Sequence, residues 1–291
     1  MINPFFSIVI PTYNRENIIT YTIQSVINQT FKNWELLIID DGSTDNTELI
    51  IKKIKDKRIK YIYQKNAERS AARNNGIRNA KGDWICFLDS DDKYEKNHLE
   101  SIYERILINN SPKFFITEQK TINQKNKKVS SKKTNFDNSN APLFFATESV
   151  VPGRVCIHKE ILKKYKYDEE IVIVEDLDLW FRISCEHLVE FIDNPTFIYY
   201  IHDDNSINIK NNAYLKRLNG LKKTFNKKEK KYLKKEDRRM ILNNCYFGIH
   251  KYYVAKNQIL KSRLSILKAI ILYPKHRLKE KLYLFLYPKN I

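Results

Sequence analysis

Apolar and polar positions trade places in blocks along the first hundred residues. FSIVIP, residues 6–11, is a short apolar run stopped by Pro11. Behind it Ile19, Ile23, Val26 and Ile27 recur at helical spacing, which predicts a helix. WELLIIDD (34–41) predicts a second strand, and STDNTELIIKKIK a helix whose Asp45 and Glu48 are placed as a capping box. IKYIYQ (59–64) alternates as a strand does. ERSAARNNGIRNAKGD predicts a helix running to a glycine stop, WICFLDSDD a fourth strand, and KYEKNHLESIYERIL another helix.

Strand–helix alternation of this kind predicts an α/β fold, a mostly parallel sheet flanked by helices. Ligands then bind beyond the carboxyl ends of the strands. The polar clusters collect at that edge: Thr12-Tyr13-Asn14, Asp40-Asp41 and Asp89-Ser90-Asp91-Asp92. Farther on, FFIT (114–117) reads as a strand and QKNKKVSSKKTNFDNSNA as a loop. VCIHKEILKKY, EDLDLWFRISCEH, VEFIDN and FIYYI bring helix and strand back. The tail reads as helical: Leu260, Leu264, Leu267 and Ile271 share one face until Pro274, and HRLKEKLYLFLYP repeats the type.

Charge divides the chain. Residues 210–291 hold 23 basic and 4 acidic residues, a net of +19, whereas residues 1–209 hold 29 and 30. We therefore expect two parts, 1–209 and a basic helical extension, 210–291. The extension's charge calls for an anionic partner, a membrane or nucleic acid, and no nucleic-acid recognition motif is present. Cys86, Cys156, Cys185 and Cys245 are too scattered for a zinc site and read as reduced thiols in a cytoplasmic protein. The start, MINPFFSIVIPTYN, lacks a basic, apolar leader, and no run of about 18 apolar residues predicts a spanning helix.

Three carboxylates within four positions, Asp89, Asp91 and Asp92, need a reason. Each like-charge pair costs up to about 4 kcal/mol at ~4 Å and an effective dielectric of ~20. Asp92 as a helix N-cap would explain only itself. A calcium loop counted from Asp89 would need glycine where Tyr94 stands. A haloacid-dehalogenase-type phosphatase wants Thr or Val where Lys93 stands. A divalent cation holding a diphosphate fits best, with Mg²⁺ or Mn²⁺ suited to oxygen ligands. Tyr13, Asn14 and the acidic pair at 40–41 suit a flat base, though a strand followed by a turn explains them as well. Response-regulator receivers share the early acidic pairs but not DSDD at the fourth strand. Arg73 suits a diphosphate by its bidentate guanidinium, though a cationic helix is common on surfaces.

PTYN, DDGSTD, the block ARNNGIRNAKGDWICFLDSDD and the later Glu175-Asp176 together resemble the family 2 glycosyltransferases of GT-A, Rossmann-like fold, over residues 5–205. The resemblance implies a nucleotide-sugar donor, usually UDP-linked, a divalent metal (Mn²⁺ or Mg²⁺) and inversion at the anomeric carbon. It places Pro11, Thr12, Tyr13 and Asp41 on the base with Asn14 near them, Arg73 facing the nucleotide, Asp89 on the ribose and Asp91 on the metal. Asp176 becomes the general base, with Glu175 beside it, and His202 a further metal ligand. Without the resemblance, Glu175 and Asp176 read as the start of an amphipathic helix and His202 as structural. Trp180 is set between stacking on a sugar ring and a place in the core. No QxxRW-like motif occurs, which favours single addition over polysaccharide synthesis.

The expectation is a metal-dependent inverting glycosyltransferase, peripheral on the inner face of the membrane. It would add one sugar to a surface-glycan or lipid-linked acceptor. The rival enzyme is a sugar-phosphate nucleotidyltransferase, whose glycine-rich signature is missing from a chain with six glycines. The rival of another class is an inactive nucleotide-binding or membrane-surface scaffold.

Overall fold

The computed structural model describes residues 6–108, 112–131, 133–202 and 212–288. The chain alternates at first: β1 (Phe6–Thr12), α1 (Ile19–Ile27), β2 (Trp34–Asp40), α2 (Thr47–Lys52), β3 (Ile59–Tyr63), α3 (Glu68–Asn79), β4 (Trp84–Phe87), β5 (Lys93–Tyr94) and α4 (His98–Ile106). It continues through β6 (Phe114–Asn123), β7 (Val129–Ser130), α5 (Ala141–Thr147), β8 (Val155–His158), α6 (Lys159–Lys164), α7 (Glu175–Ser184) and β9 (Glu190–Ile201). Helices α8 (Ala213–Thr224), α9 (Lys235–Ala255), α10 (Ile259–Leu272) and α11 (Leu278–Leu286) follow.

The strands form one sheet in the order β3-β2-β1-β4-β8-β6-β9-β5, with β7 paired to β6. Its first half is parallel: β1 pairs with β2 and β4, and β2 with β3. β8 runs antiparallel to β4 and β6, while β6 and β9 are parallel. The parallel strands read as unbroken apolar runs because both faces are covered. Val9, Leu37 and Phe87 pack on one side with Ala72 and Ile77 of α3 and Leu179 of α7. Ile8, Ile10, Leu36 and Ile38 pack on the other with Ile19, Ile23 and Val26 of α1. Gly76 lets α3 lie close on β1: a Cβ there would stand 2.3 Å from Val9 Cγ1.

Four local expectations change. Residues 93–94 pair with β9 as β5, and the helix begins only at His98. VEFIDN and FIYYI are a single strand, and its pairing with β6 shifts register around Glu118, opposite Pro195. Proline has no N–H to give to a ladder, so an irregularity there is its natural place. FFIT continues to Asn123, and the expected loop beyond it contributes β7. The capping box does not form: Glu16, not Glu48, accepts the Asn46 N–H, and Glu48 pairs with Lys52.

The expected division at 209/210 lies outside the described residues. Beyond it, Leu218, Leu221, Phe225, Ile241 and Ile249 share a buried cluster with Val9 and Leu37. In α10 the inward residues are Ser262, Ser265, Ile266 and Ala269. The leucine face read from the sequence points outward, with Leu260 74% and Ile271 73% exposed. No helix among the described residues is long and apolar enough to cross a membrane.

Candidate active site

A cleft of ≈ 540 Å³ opens at the carboxyl edge of β1, β2 and β4. Its first wall follows β1. Pro11, Thr12 and Tyr13 line it; Thr12 is buried, with its hydroxyl unpartnered among the described residues. Tyr13 is 46% exposed, a ring face open to the cleft. The Asp41 N–H donates to the Thr12 carbonyl at 2.8 Å. Asp41 Oδ1 accepts from Gln64 Nε2 at 2.7 Å and from the Ala67 N–H at 2.9 Å, which fixes its carboxylate at the rim. Gly42 follows with φ +83°, a turn that favours glycine. Asn14 does not line the cleft. Its own φ is +51°, its N–H donates to Ser43 Oγ, and its amide oxygen accepts the Thr44 N–H. It clamps the two loops together.

Beyond β4 the chain turns through the four-residue acidic cluster. Thr22 Oγ1 of α1 lies 2.9 Å from the carbonyl oxygens of Ser90 and Asp92 and holds the turn from below. Asp92 is no helix cap. It is 1% exposed, its Oδ1 accepts the Tyr200 N–H at 3.0 Å, and its Oδ2 has no described partner. Burial, then the charges of Asp91 and Asp89, push its carboxyl well above the usual range. Asp92 therefore ties β9 to the acidic turn. Asp91 behaves oppositely: burial raises it, but the His202 hydrogen bond and the Arg15 charge outweigh that and hold it low. Asp91 Oδ2 stands 3.1 Å from His202 Nε2.

That spacing suits a metal. Two neighbouring ligands of an octahedral ion at about 2.1 Å lie about 3.0 Å apart. A carboxylate and an imidazole are donors of the kinds that Mn²⁺ or Mg²⁺ accepts, and between these two the structure forms a hydrogen bond. Among the described residues no group of three or more His, Cys, Asp and Glu side chains is gathered to hold a metal ion.

The opposite wall is built by a strained turn. Ile173 and Val174 have φ of +63° and +75°, and both line the cleft. A β-branched residue in this region is an outlier worth of order 1–3 kcal/mol of strain. The turn starts α7 so that Glu175 and Asp176 meet the cleft in its first turn. Arg73 of α3 joins the walls: Nη2 lies 2.7 Å from Asp89 Oδ1 and Nη1 3.0 Å from Glu175 Oε1. The guanidinium is buried and engaged, so it does not offer the open fork expected for a diphosphate. Asp176 sits at the cleft surface. Burial, and then the Glu175 charge, raise its carboxyl to about 7, with Arg73 opposing. Trp180 is fully buried, donates to the Val150 carbonyl at 3.0 Å and packs beside Phe87, Phe114 and Tyr167. It is a core residue and reaches no ligand.

Sequence reasoning missed Arg15, Arg69, Arg217 and the 173–174 turn. Arg15 comes from the loop after β1, Arg69 from α3 and Arg217 from α8, and only folding brings them to one cleft. Nothing in IVIVED marks a left-handed pair, and Gly220 of α8 lies close against it.

Residues 7–166 match the family model described as Glycosyl transferase family 2. An uncharacterized glycosyltransferase of Rickettsia felis is 40% identical over 189 residues, 64% of this chain. The chain spans only 31% of that relative's length. The UDP-Glc:alpha-D-GlcNAc-diphosphoundecaprenol beta-1,3-glucosyltransferase WfgD of Escherichia coli is 45% identical over 105 residues, 36% of this chain and 42% of that one. Among solved structures, S. aureus TarS 1–349 in complex with UDP-GlcNAc superposes with a TM-score of 0.62 over 92% of this chain and 84% of that one. At 19% identity this is a likeness of fold, the GT-A-type α/β architecture expected above. A match over more than half the chain, carrying the cleft from Pro11 to Asp92, makes the chain a member of glycosyl transferase family 2.

Proposed function

We propose that this protein transfers one sugar, with inversion, from a nucleoside-diphosphate donor to a hydroxyl group of a glycan or lipid-linked acceptor. The observation that carries the reading is Asp176: a carboxyl raised to about 7 faces the same cleft as Asp89 and Asp91. A general base works best with a pKa near the working pH. In this reading Pro11, Thr12, Tyr13 and Asp41 receive the base, and Asp89 the ribose. Thr12's unpartnered hydroxyl supports that assignment. WfgD is named for a UDP-glucose donor, and TarS was solved with UDP-GlcNAc, which favours a UDP-linked sugar here.

Asp91 and His202 would hold Mg²⁺ or Mn²⁺, which when bound neutralises charge on the diphosphate leaving group. Asp176 takes the proton of the acceptor hydroxyl as its oxygen attacks the anomeric carbon. The bond from that carbon to the diphosphate oxygen breaks on the opposite face, and the nucleoside diphosphate departs. Glu175 keeps Asp176 basic, and Arg73 holds Glu175 in place. Ile173 and Val174 exclude water from one side.

Residues 210–291 would rest on the inner face of a membrane. Leu260, Leu264, Leu267 and Ile271 are exposed on a region of net charge +19, the pattern of an interfacial helix. The division at 209/210 is then one of task, with donor chemistry before it and the membrane after it. The acceptor in WfgD's name is an alpha-D-GlcNAc-diphosphoundecaprenol, which supports a lipid-linked acceptor here.

The test is calorimetric titration of UDP, GDP and dTDP with and without Mn²⁺. UDP should bind tightly and only with the metal. Tighter GDP or dTDP binding would move the donor, and no nucleotide binding by the folded protein would favour the inactive scaffold.

A further inference from the structure

Four arginines reach the cleft, and three of them face carboxylates. Arg15 lies 3.9 Å from Asp91, Arg69 3.8 Å from Glu175, and Arg73 bridges Asp89 and Glu175. Arg217 differs. It comes from α8, in the basic region, and its described partner is the Cys245 thiol of α9. Burial raises that thiol above its usual range against the opposing pull of Arg217, so at neutral pH it carries no charge. Among the described residues, a full guanidinium charge therefore enters the cleft without a carboxylate upon it.

Its position says which ligand it serves. Helix α8 lies against the strained turn: a Cβ on Gly220 would stand 2.6 Å from Val174 Cγ2 and 2.9 Å from the Ile173 carbonyl. Arg217 is three positions earlier, one turn along the same helix face. It lines the cleft from the helix that packs on the 173–174 turn, which precedes Asp176 in sequence order. The donor's diphosphate has Asp91, His202 and a divalent cation at the acidic turn. The uncompensated cation is on the side from which an attacking hydroxyl must come.

We propose that Arg217 binds a phosphate or diphosphate group carried by the acceptor. The inference rests on the glycosyl-transfer reading above. Guanidinium matches phosphate in charge and in fork geometry. Helix α8 packs on α9 and α9 on α10, so the residue belongs to the same helical region as the exposed leucines. An acceptor anchored in a lipid surface by its tail would present its phosphate from that side.

Farnesyl diphosphate serves as the probe, titrated into the full chain saturated with UDP and Mn²⁺ so that the donor's phosphate positions are filled. The unaltered protein should bind it at least tenfold more tightly than Arg217→Gln, with Arg217→Lys between them and UDP affinity the same in all three. Equal affinity of the unaltered protein and Arg217→Gln overturns the proposal, as does absence of binding to the unaltered protein. A tenfold loss of UDP affinity in Arg217→Gln would put the residue on the donor and overturn it too. Failure of UDP to bind at all strikes the glycosyl-transfer reading instead, and the same titration without nucleotide still reads Arg217.

Discussion

Arg73 Nη1 of α3 lies 3.0 Å from Glu175 Oε1 of α7, 102 positions later in the chain. The other end of the same guanidinium holds Asp89. One buried cation thus fastens the donor wall of the cleft to the base wall. Removing it takes the cation from Asp89 and leaves Glu175 with the more distant Arg69 at 3.8 Å. Breaking a buried pair from one side costs about 3–5 kcal/mol. Arg73→Met should lower unfolding free energy in urea by about that much; a loss under about 1 kcal/mol would contradict the bracing role.

Glu175 also sets the pH dependence. Its charge is the second cause, after burial, of the rise of Asp176 to about 7. Asp176 acts as a base only when ionised, so transfer should rise with pH through about 7 and level off above it. Glu175→Gln removes the repelling charge and frees Arg73 toward Asp176. The acid limb of the kcat/KM profile should then move to lower pH. A limb that stays in place would mean that another group governs it.

Asp176→Asn keeps the size and loses the base. General-base catalysis contributes typically about 10²–10⁴-fold, and transfer should fall by that order. UDP affinity in the presence of Mn²⁺ should stay within about twofold, because the nucleotide end of the cleft is untouched. The variant should also be more stable than the parent at neutral and higher pH. A folded-state carboxyl raised above its unfolded value holds its proton longer in the native state, so its contribution declines as pH rises from the unfolded value through about 7. A melting temperature at pH 8 that falls, with UDP affinity lost alongside transfer, would argue for a structural role.

The metal edge makes a separate prediction. In the proposed reading, Asp91→Asn and His202→Gln would each remove one of two metal ligands. Either change should weaken Mn²⁺-dependent UDP binding by at least about tenfold, in the range of removing one ligand-supporting interaction. The circular dichroism spectrum should be unchanged. Mn²⁺-dependent affinity that survives in both variants would remove the metal from this site.

What could be read from the chain beforehand was periodic or local. Apolar runs of six to eight residues ending in Thr12, Asp40 and the acidic turn place three polar clusters on one sheet edge once the strands are parallel. Helical spacing gave α1, an amphipathic pattern gave the start of α7, and a run to a glycine stop gave α3. Long-range placement was not legible. Asp92 looked like a cap because nothing local announces that residues 93–94 pair with β9, more than 100 positions later. Trp180 looked open to two roles, and only the packing of β4, β6 and α7 around it decides for the core. Arg217 lay in a stretch whose many lysines hid a cation that the fold turns into the cleft.

The leucine face of α10 brings the last prediction. Leu264 and Leu267 are 46% and 39% exposed, while Ile266 and Ala269 hold the helix to its neighbours. Substituting the outward pair therefore leaves the packing intact. Insertion of a leucine into lipid is worth about 1.5–3 kcal/mol, and each nearby lysine or arginine adds about 1 kcal/mol at an anionic leaflet. Leu264→Glu with Leu267→Glu removes the apolar term and adds repulsion. Sedimentation with vesicles containing phosphatidylglycerol should fall by at least about tenfold in partition coefficient, since 1.4 kcal/mol already gives that factor. Raising salt to about 1 M should weaken the parent's binding by screening the lysines without abolishing it, because the leucines remain. Deleting residues 255–291 should do the same as the double substitution. Unchanged sedimentation in both variants would leave the basic region without a membrane role and make its exposed leucines the seat of some other contact.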